Sequence, residues 1–378
     1  MKSFIYPSRI KDSNLGDVLI NALLIREISK FGKVFIDGKV PSLYDLVTLN
    51  NPFAKNIVIV EGIKAFEGKP VLRWLNLASV IGKVDFVFDP PGAYFEGKDA
   101  AKAKFKFYKY FLRAVVLKTA KIGVLRWGVS LGPYSDGGYA DQRKLSNVYT
   151  DIAVRDSNNY DHLKDKGFKN LSLIDDLAFL YDIGNFQAVI DRVELDYKGG
   201  NYVVVSIRGD IEGKELNKAY LDQIAVNLMR MFADTIVKNE EIVLAYQVVE
   251  DLESLQYLKD ILERNNYQCK LLDKQLSFAQ AIGLYAGARF LYTNRLHVAL
   301  LSILNNTVPI ILTDLKLHHK LVNVFKDLDL EALLIDTKPD TEIKFSIDAE
   351  HSYLEKFIHF KKQKAKTITD HFGRLFLN

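Results

Sequence analysis

The chain predicts an α/β protein of two doubly wound, Rossmann-like domains facing each other across a cleft, with a C-terminal helix packing back across the junction. Three observations carry this. Short β-rich runs alternate with helical patterns along most of the sequence, the signature of parallel sheets with crossover helices. The length of 378 residues corresponds to about two domains at roughly 150 residues each. Between Tyr181 and Gly200 the periodicity is lost, a YKGG turn appears, and a new strongly β run follows, which sets the domain boundary there. The expected organisation is residues 1–190, residues 191–345 and a helical extension over 346–378.

In the first domain, Ser3 to Pro7 reads as a strand. The polar loop SRIKDSNLGD follows, and then a helix in which Leu19, Ile20, Leu23, Leu24 and Ile28 recur at helical spacing. Further strands are expected at KVFID from Lys33, NIVIV from Asn56, DFVFD from Asp85, KIGVLRWGVS from Lys121, DIAVRD from Asp151 and NLSLID from Asn170. A long helix is expected from Asp99 to Thr119.

In the second domain the strands are NYVVVSI, EIVLAYQ, QCKLL, RFLYT and TVPIILT. The helices between them cover Lys214 to Val237, Asp251 to Asn265, Ser277 to Ala286, Leu296 to Leu304 and Lys316 to Leu328. From Ser352 to Phe376 the pattern is again helical and rich in lysine around Phe360 to Lys366, as a solvated helix would be.

Composition narrows the function classes. The net charge of +4 is too slight to argue for a nucleic-acid partner. Cys269 is the single cysteine, so an internal disulfide cannot form and no Cys/His zinc cluster is spelled out. The start, MKSFIYPSRIKDSNLGD, has no apolar run of signal-peptide length, and no stretch approaches the ~18 apolar residues of a membrane helix. A cytoplasmic protein is expected, touching a membrane only from the side.

Ligands in open parallel sheets bind outside the carboxyl ends of the strands, so the loops there are the candidates. SNLGD, Ser13 to Asp17, offers a tight turn and free N–H groups at a helix start, although capping by Asn14 or Asp17 explains the same residues. DPPGAYFEG, Asp89 to Gly97, is a rigid loop presenting Asp89, Tyr94 and Glu96 at the sheet edge, as an ordinary turn also would. SIRG, Ser206 to Gly209, places Arg208 at a strand end, where its planar fork suits a carboxylate or phosphate. TNRLH, Thr293 to His297, sets Arg295 and His297 at a strand-to-helix turn, an anion-binding guanidinium beside an imidazole able to move a proton near neutrality. Lys316 follows the next strand and completes an anion site. His318 and His319 lack the i,i+4 spacing of a helical zinc pair, so no metal is expected.

Taken in order, these segments resemble the polysaccharide pyruvyltransferase family. The pieces are the NxGD loop (Asn14, Gly16, Asp17), GVSLGP (Gly128 to Pro133), AVRDSNNYDHLKDKG (Ala153 to Gly167), DLAF (Asp176 to Phe179), the SIR strand end and TNRLHVALLSILNNTVPIILTDLK. One departure is DPPGAY, where family members usually carry a glycine-rich GGG turn. The resemblance implies a GT-B-like pair of Rossmann-like domains, with the acceptor on the first and phosphoenolpyruvate on the second. By motif it puts Arg208, Arg295 and His297 in the donor pocket. In the reaction so implied, Lys316, Asn14 and Gly16 help to hold the donor, His297 is the general acid, and Asp17 or Asp89 receives a hydroxyl proton. No cofactor is called for beyond phosphoenolpyruvate as co-substrate. The acceptor would be a hexose of a capsular polysaccharide or exopolysaccharide, or of its lipid-linked precursor.

Two other readings share these residues: a sugar-nucleotide glycosyltransferase of the same architecture, and a non-catalytic glycan-binding subunit. The helix from Asp99 sets Lys102, Lys106, Lys109 and Arg113 beside Phe105, Tyr108 and Leu112. A crossover helix with a core face and a basic face accounts for this pattern, and an anionic membrane at whose inner face the protein works would suit it too.

Overall fold

The computed structural model describes residues 1–7, 14–37, 40–60, 83–97, 99–191, 201–209, 216–235, 240–338, 343 and 345–377. They form two compact units. One comprises Met1–Asp12, Asp17–Leu180 and Lys364–Asn378, the other Ser13–Gly16 and Tyr181–Gln363. The YKGG turn expected at the boundary lies outside the described residues. The long segment of the second unit starts at Tyr181, before α6 (Ile183–Ile190).

The first unit carries β1 (Lys2–Tyr6), α1 (Leu15–Ile28), β2 (Gly32–Asp37), α2 (Pro41–Thr48), β3 (Ile57–Val60), β4 (Phe86–Asp89), β5 (Gly92–Tyr94), α3 (Ala100–Thr119), β6 (Gly123–Leu131), α4 (Asp136–Ser146), β7 (Asp151–Val154), α5 (Ser157–Asp165) and β8 (Leu171–Leu173). The strands pair in the order β3-β2-β1-β4-β6-β7-β8, with β5 on β6, and each pairing is parallel. Apolar residues fill these strands because parallel sheets are covered on both faces: all four residues of β7 are buried. Side chains start the helices. Asp99 accepts from Lys102 N at 3.0 Å ahead of α3, and Asp156 from Asn159 N at 2.8 Å ahead of α5.

The second unit carries β9 (Tyr202–Ser206), α7 (Lys218–Thr235), β10 (Glu241–Leu244), α8 (Leu252–Arg264), β11 (Cys269–Leu271), α9 (Phe278–Gly287), β12 (Phe290–Thr293), α10 (Leu296–Leu304), β13 (Val308–Thr313), α11 (His319–Asp327) and β14 (Leu334–Asp336). Its order is β11-β10-β9-β12-β13-β14, parallel throughout. The chain winds outward from β9 to one edge, returns to β12 and winds to the other. The order therefore reverses between β9 and β12, the point where such sheets open a ligand crevice. The expected α/β class of two doubly wound units is the observed one.

Two short strands, β5 and β14, were absent from the expectation. The final helix, α12 (Glu350–Phe376), groups up to Gln363 with the second unit and from Lys364 with the first. In the first unit its last turns complete the core. Phe372 stacks on Trp127 at 4.6 Å between ring centroids, and Phe376 meets Phe4 and Phe86 edge-on at 4.9 and 5.2 Å. Asp151 accepts from Trp127 Nε1 at 2.7 Å and lies 2.9 Å from His371 Nε2, fixing helix and sheet to one carboxylate.

Candidate functional site

Three cationic loops leave the carboxyl ends of three adjacent strands in the second unit. Arg208 follows β9, Arg295 and His297 follow β12, and Lys316 follows β13. The first two flank the reversal of strand order. Sequence and topology thus place Arg208, Arg295 and His297 at the position in this sheet where neighbouring crossovers diverge, with Lys316 one strand further on.

Side chains of the TNRLH segment stitch the two loops together. Thr293 Oγ1 donates to the Ser206 carbonyl at 2.6 Å and accepts from Arg295 N at 3.0 Å. The Asn294 amide accepts from Arg208 N at 2.8 Å through Oδ1 and donates to Arg208 O at 2.8 Å through Nδ2. Asn294 Nδ2 also lies 3.1 Å from Tyr220 Oη on α7. Both Thr293 and Asn294 are buried, so these bonds are shielded from water and fix where Arg208 emerges.

Arg295 is half-buried, and its Nη2 donates to the buried carboxylate of Asp251, at the start of α8. Its Nε is buried and has no hydrogen-bond partner among the described residues. Next to this pair, Gln247 Nε2 donates to Tyr285 Oη at 3.0 Å. Burial pushes the Tyr285 hydroxyl up to about 12, against the lowering effects of Gln247, Ser206 and Arg295. Tyr285 is accordingly a neutral dipole near pH 7. Asn294, Asp251 and Tyr285 were not singled out from sequence, where 86 residues separate Asn294 from Arg208 and 44 separate Asp251 from Arg295.

His297 sits half-buried in the first turn of α10, where the helix dipole favours an anion. Gly16, grouped with the second unit, closes on it: a Cβ added at Gly16 would fall 2.3 Å from His297 Nδ1 and 2.8 Å from its Cβ. Only glycine leaves room for the imidazole there. Asn14 is half-buried in the same segment. Lys316 is exposed, with its backbone N–H held by Asp314 Oδ1 at 2.8 Å. His318 contacts Thr313 Oγ1 and meets the Tyr220 ring edge-on at 6.3 Å, so it packs the loop after β13. Among the described residues no three His, Cys, Asp or Glu side chains converge as metal ligands would.

The structure therefore gathers Asn14, Gly16, Arg208, Arg295, His297 and Lys316 in one unit, while Asp17 and Asp89 belong to the other. Asp17 occupies the first turn of α1, half-buried, where a carboxylate complements the helix dipole. Asp89 is not presented at a sheet edge. It ends a central strand, buried, accepting from Arg113 Nη2 at 2.6 Å, Arg126 Nη2 at 2.8 Å and Tyr149 Oη at 2.5 Å. Burial raises its carboxyl, but Arg113 and Arg126 together outweigh this and hold it well below the usual carboxylate range. A carboxylate so stabilised is a poor proton acceptor, and the arrangement assigns Asp89 to the framework. The sequence held a signal for this: Arg126 interrupts the apolar strand GVLRWGVSL, and a guanidinium inside a strand buried on both faces demands a buried anion.

A family model described as polysaccharide pyruvyl transferase matches residues 14–314 of the chain. No curated protein matches it. Among solved structures, the chain is similar to a UDP-GlcNAc 2-epimerase from Neisseria meningitidis bound to UDP-GlcNAc, at 11% identity and TM-score 0.58, covering 99% of this chain and 100% of that one. It is similar to the UDP-GlcNAc 2-epimerase from Methanocaldococcus jannaschii at 14% identity and TM-score 0.54, covering 95% and 92%. It also resembles the N-terminal domain of the Candida albicans trehalose-6-phosphate phosphatase, at 11% identity and TM-score 0.51, covering 100% and 97%. At such identities the likeness is one of fold alone.

Proposed function

Because the chain belongs to the polysaccharide pyruvyl transferase family, we propose that it moves the carbon skeleton of phosphoenolpyruvate onto a hexose of a surface polysaccharide, or of its lipid-linked precursor, as a pyruvate ketal, and releases phosphate. The observation that carries this reading is the cross-linked pair of loops at the β9/β12 reversal, where Asn294 fixes Arg208 beside the loop bearing Arg295 and His297.

The donor carries a carboxylate and a phosphate. Arg208, Arg295 and Lys316 supply matching cations at three adjacent strand ends, and charge-assisted bonds to such groups are the strong ones. The buried Nε of Arg295 is a donor without an acceptor among the described residues, as a guanidinium kept for a ligand would be. His297 protonates the methylene carbon, which becomes the methyl group, and positive charge develops on the adjacent carbon. One sugar hydroxyl attacks that carbon and a second displaces the phosphate. Of the two hydroxyl protons, one replaces the proton lost by His297 and the other leaves on hydrogen phosphate, so the step balances. Asp17 is the remaining carboxylate candidate for receiving a hydroxyl proton. The co-substrate carries the reactive carbon itself, so the reading assigns no resident cofactor. It places the work in the cytoplasm.

Incubation with phosphoenolpyruvate and a panel of nitrophenyl and lipid-linked hexosides tests the reading. Pyruvate addition by mass spectrometry with matching phosphate release is expected. Turnover of nucleotide sugars, with no phosphate from phosphoenolpyruvate, would establish the glycosyltransferase alternative instead.

A further inference from the structure

α3 presents an apolar stripe to solvent on the face opposite its core contacts. Phe107, Ala114 and Leu117 are buried against the first sheet. On the outer side Phe105 is 74% exposed, Tyr108 57%, Leu112 53% and Val115 37%. These four follow one another at steps of three and four residues, so they lie along one helix face, over about 15 Å at 1.5 Å per residue. Four large apolar side chains in a row on the surface mark an interaction site, where scattered ones would not.

Charge selects the partner. The helix sequence AAKAKFKFYKYFLRAVVLKT contains six basic residues and no acid. Arg113 is turned inward to Asp89, Lys104 pairs with Asp141 and Lys102 with Asp99. Lys106 and Lys109 are exposed beside the stripe, and Lys118 is exposed near its end. A second copy of the same helix would set lysine against lysine. An anionic bilayer surface instead accepts the aromatic and aliphatic side chains at its acyl boundary and attracts the lysines to its headgroups. Among the described residues no helix is long and apolar enough to cross a membrane, and α3 would lie in the interface plane.

We propose that the outer face of α3 is a membrane-docking surface for anionic phospholipid, with Phe105, Tyr108 and Leu112 inserted and Lys106 and Lys109 at the headgroups. The surface stands apart from the pyruvyl-transfer reading, because vesicle binding reads it without turnover.

The test is co-sedimentation of the full chain with vesicles of phosphatidylglycerol mixed with phosphatidylethanolamine, against vesicles of phosphatidylcholine alone. Binding to the anionic vesicles that weakens as salt is raised is expected. The Lys106→Glu/Lys109→Glu variant should lower the partition coefficient by at least about tenfold, and the Phe105→Ser/Tyr108→Ser/Leu112→Ser variant should abolish sedimentation while keeping the native circular dichroism and melting transition. All five positions are exposed, so both variants should fold. No sedimentation, equal binding to both vesicle types, or binding untouched by either variant overturns the proposal. So does a dimer in light scattering that the triple variant dissociates, since that outcome assigns the stripe to a second copy.

Discussion

Asn294 holds both backbone polar groups of Arg208, accepting from its N–H and donating to its carbonyl, each at 2.8 Å. One buried amide thus sets the start of the loop that carries a candidate donor-binding arginine. Asn294→Ala should raise the phosphoenolpyruvate concentration needed for half-maximal rate by about tenfold or more, since each shielded bond lost costs about 1–3 kcal/mol. Arg208→Ala should raise it further. Asn294→Asp restores the acceptor, sets an anion against the Arg208 carbonyl, and should not rescue. Steady-state kinetics against donor concentration check all three; an unchanged KM in Asn294→Ala would remove the clamp from donor binding.

Asp251 orients Arg295 from α8. Asp251→Asn keeps the shape and removes the charge, leaving a half-buried guanidinium without its counter-ion. Donor affinity measured by calorimetry should fall, and the melting temperature should drop by several degrees, as expected for about 1–3 kcal/mol lost in a chain of this size. Arg295→Lys should not restore donor binding, because an ammonium cannot engage Asp251 and a carboxylate or phosphate through one planar fork.

Gly16 leaves the space that the His297 ring occupies. Gly16→Ala should displace the imidazole and cut kcat, with far less effect on the melting transition. His297→Gln should lower kcat by about a hundredfold or more, the usual contribution of a positioned proton donor, and leave donor binding within a fewfold of normal. Near-normal turnover in His297→Gln would exclude the imidazole as the acid.

Asp89 gives a prediction about stability and pH. Its carboxyl titrates lower in the folded chain than in the unfolded one. The stabilisation from its pairing is therefore complete above the unfolded value, near 4, and is lost as the pH falls toward the folded value. Asp89→Asn should destabilise by about 3–5 kcal/mol, because it strands two buried guanidiniums, and should flatten the acid limb of the melting-temperature profile. Loss of activity with an unchanged melting temperature would instead point to a chemical role.

Much of the fold was legible because its signals are local. Apolar runs such as DIAV and YVVVS announce buried parallel strands, and the loops at strand ends named Arg208, Arg295 and His297. β5 was hidden because Gly92 to Tyr94 follows two prolines and reads as a turn. β14 is three residues long and directly follows a 3₁₀ turn, Glu331–Leu333. The partners of the site residues were hidden for a different reason. Asn294 lies in a quoted motif, but nothing in TNRLH shows that its amide meets a backbone 86 residues away. Asp89 was misplaced because loop composition points outward, whereas Arg113 and Arg126 reach it from a helix face and a strand interior.

The closing turns of α12 carry a practical lesson for dissecting the protein. A fragment ending at Leu180 would contain every strand of the first sheet and still lack the rings that cover Trp127, Phe4 and Phe86. Leaving one such aromatic side chain uncovered forfeits about 1.5–3 kcal/mol, and here two would go together with the His371 contact to Asp151. Expressed alone, that fragment should expose a sticky, half-finished interior. Supplying residues 364–377 through a short linker, or as a separate peptide, is the route to an isolated first unit that folds.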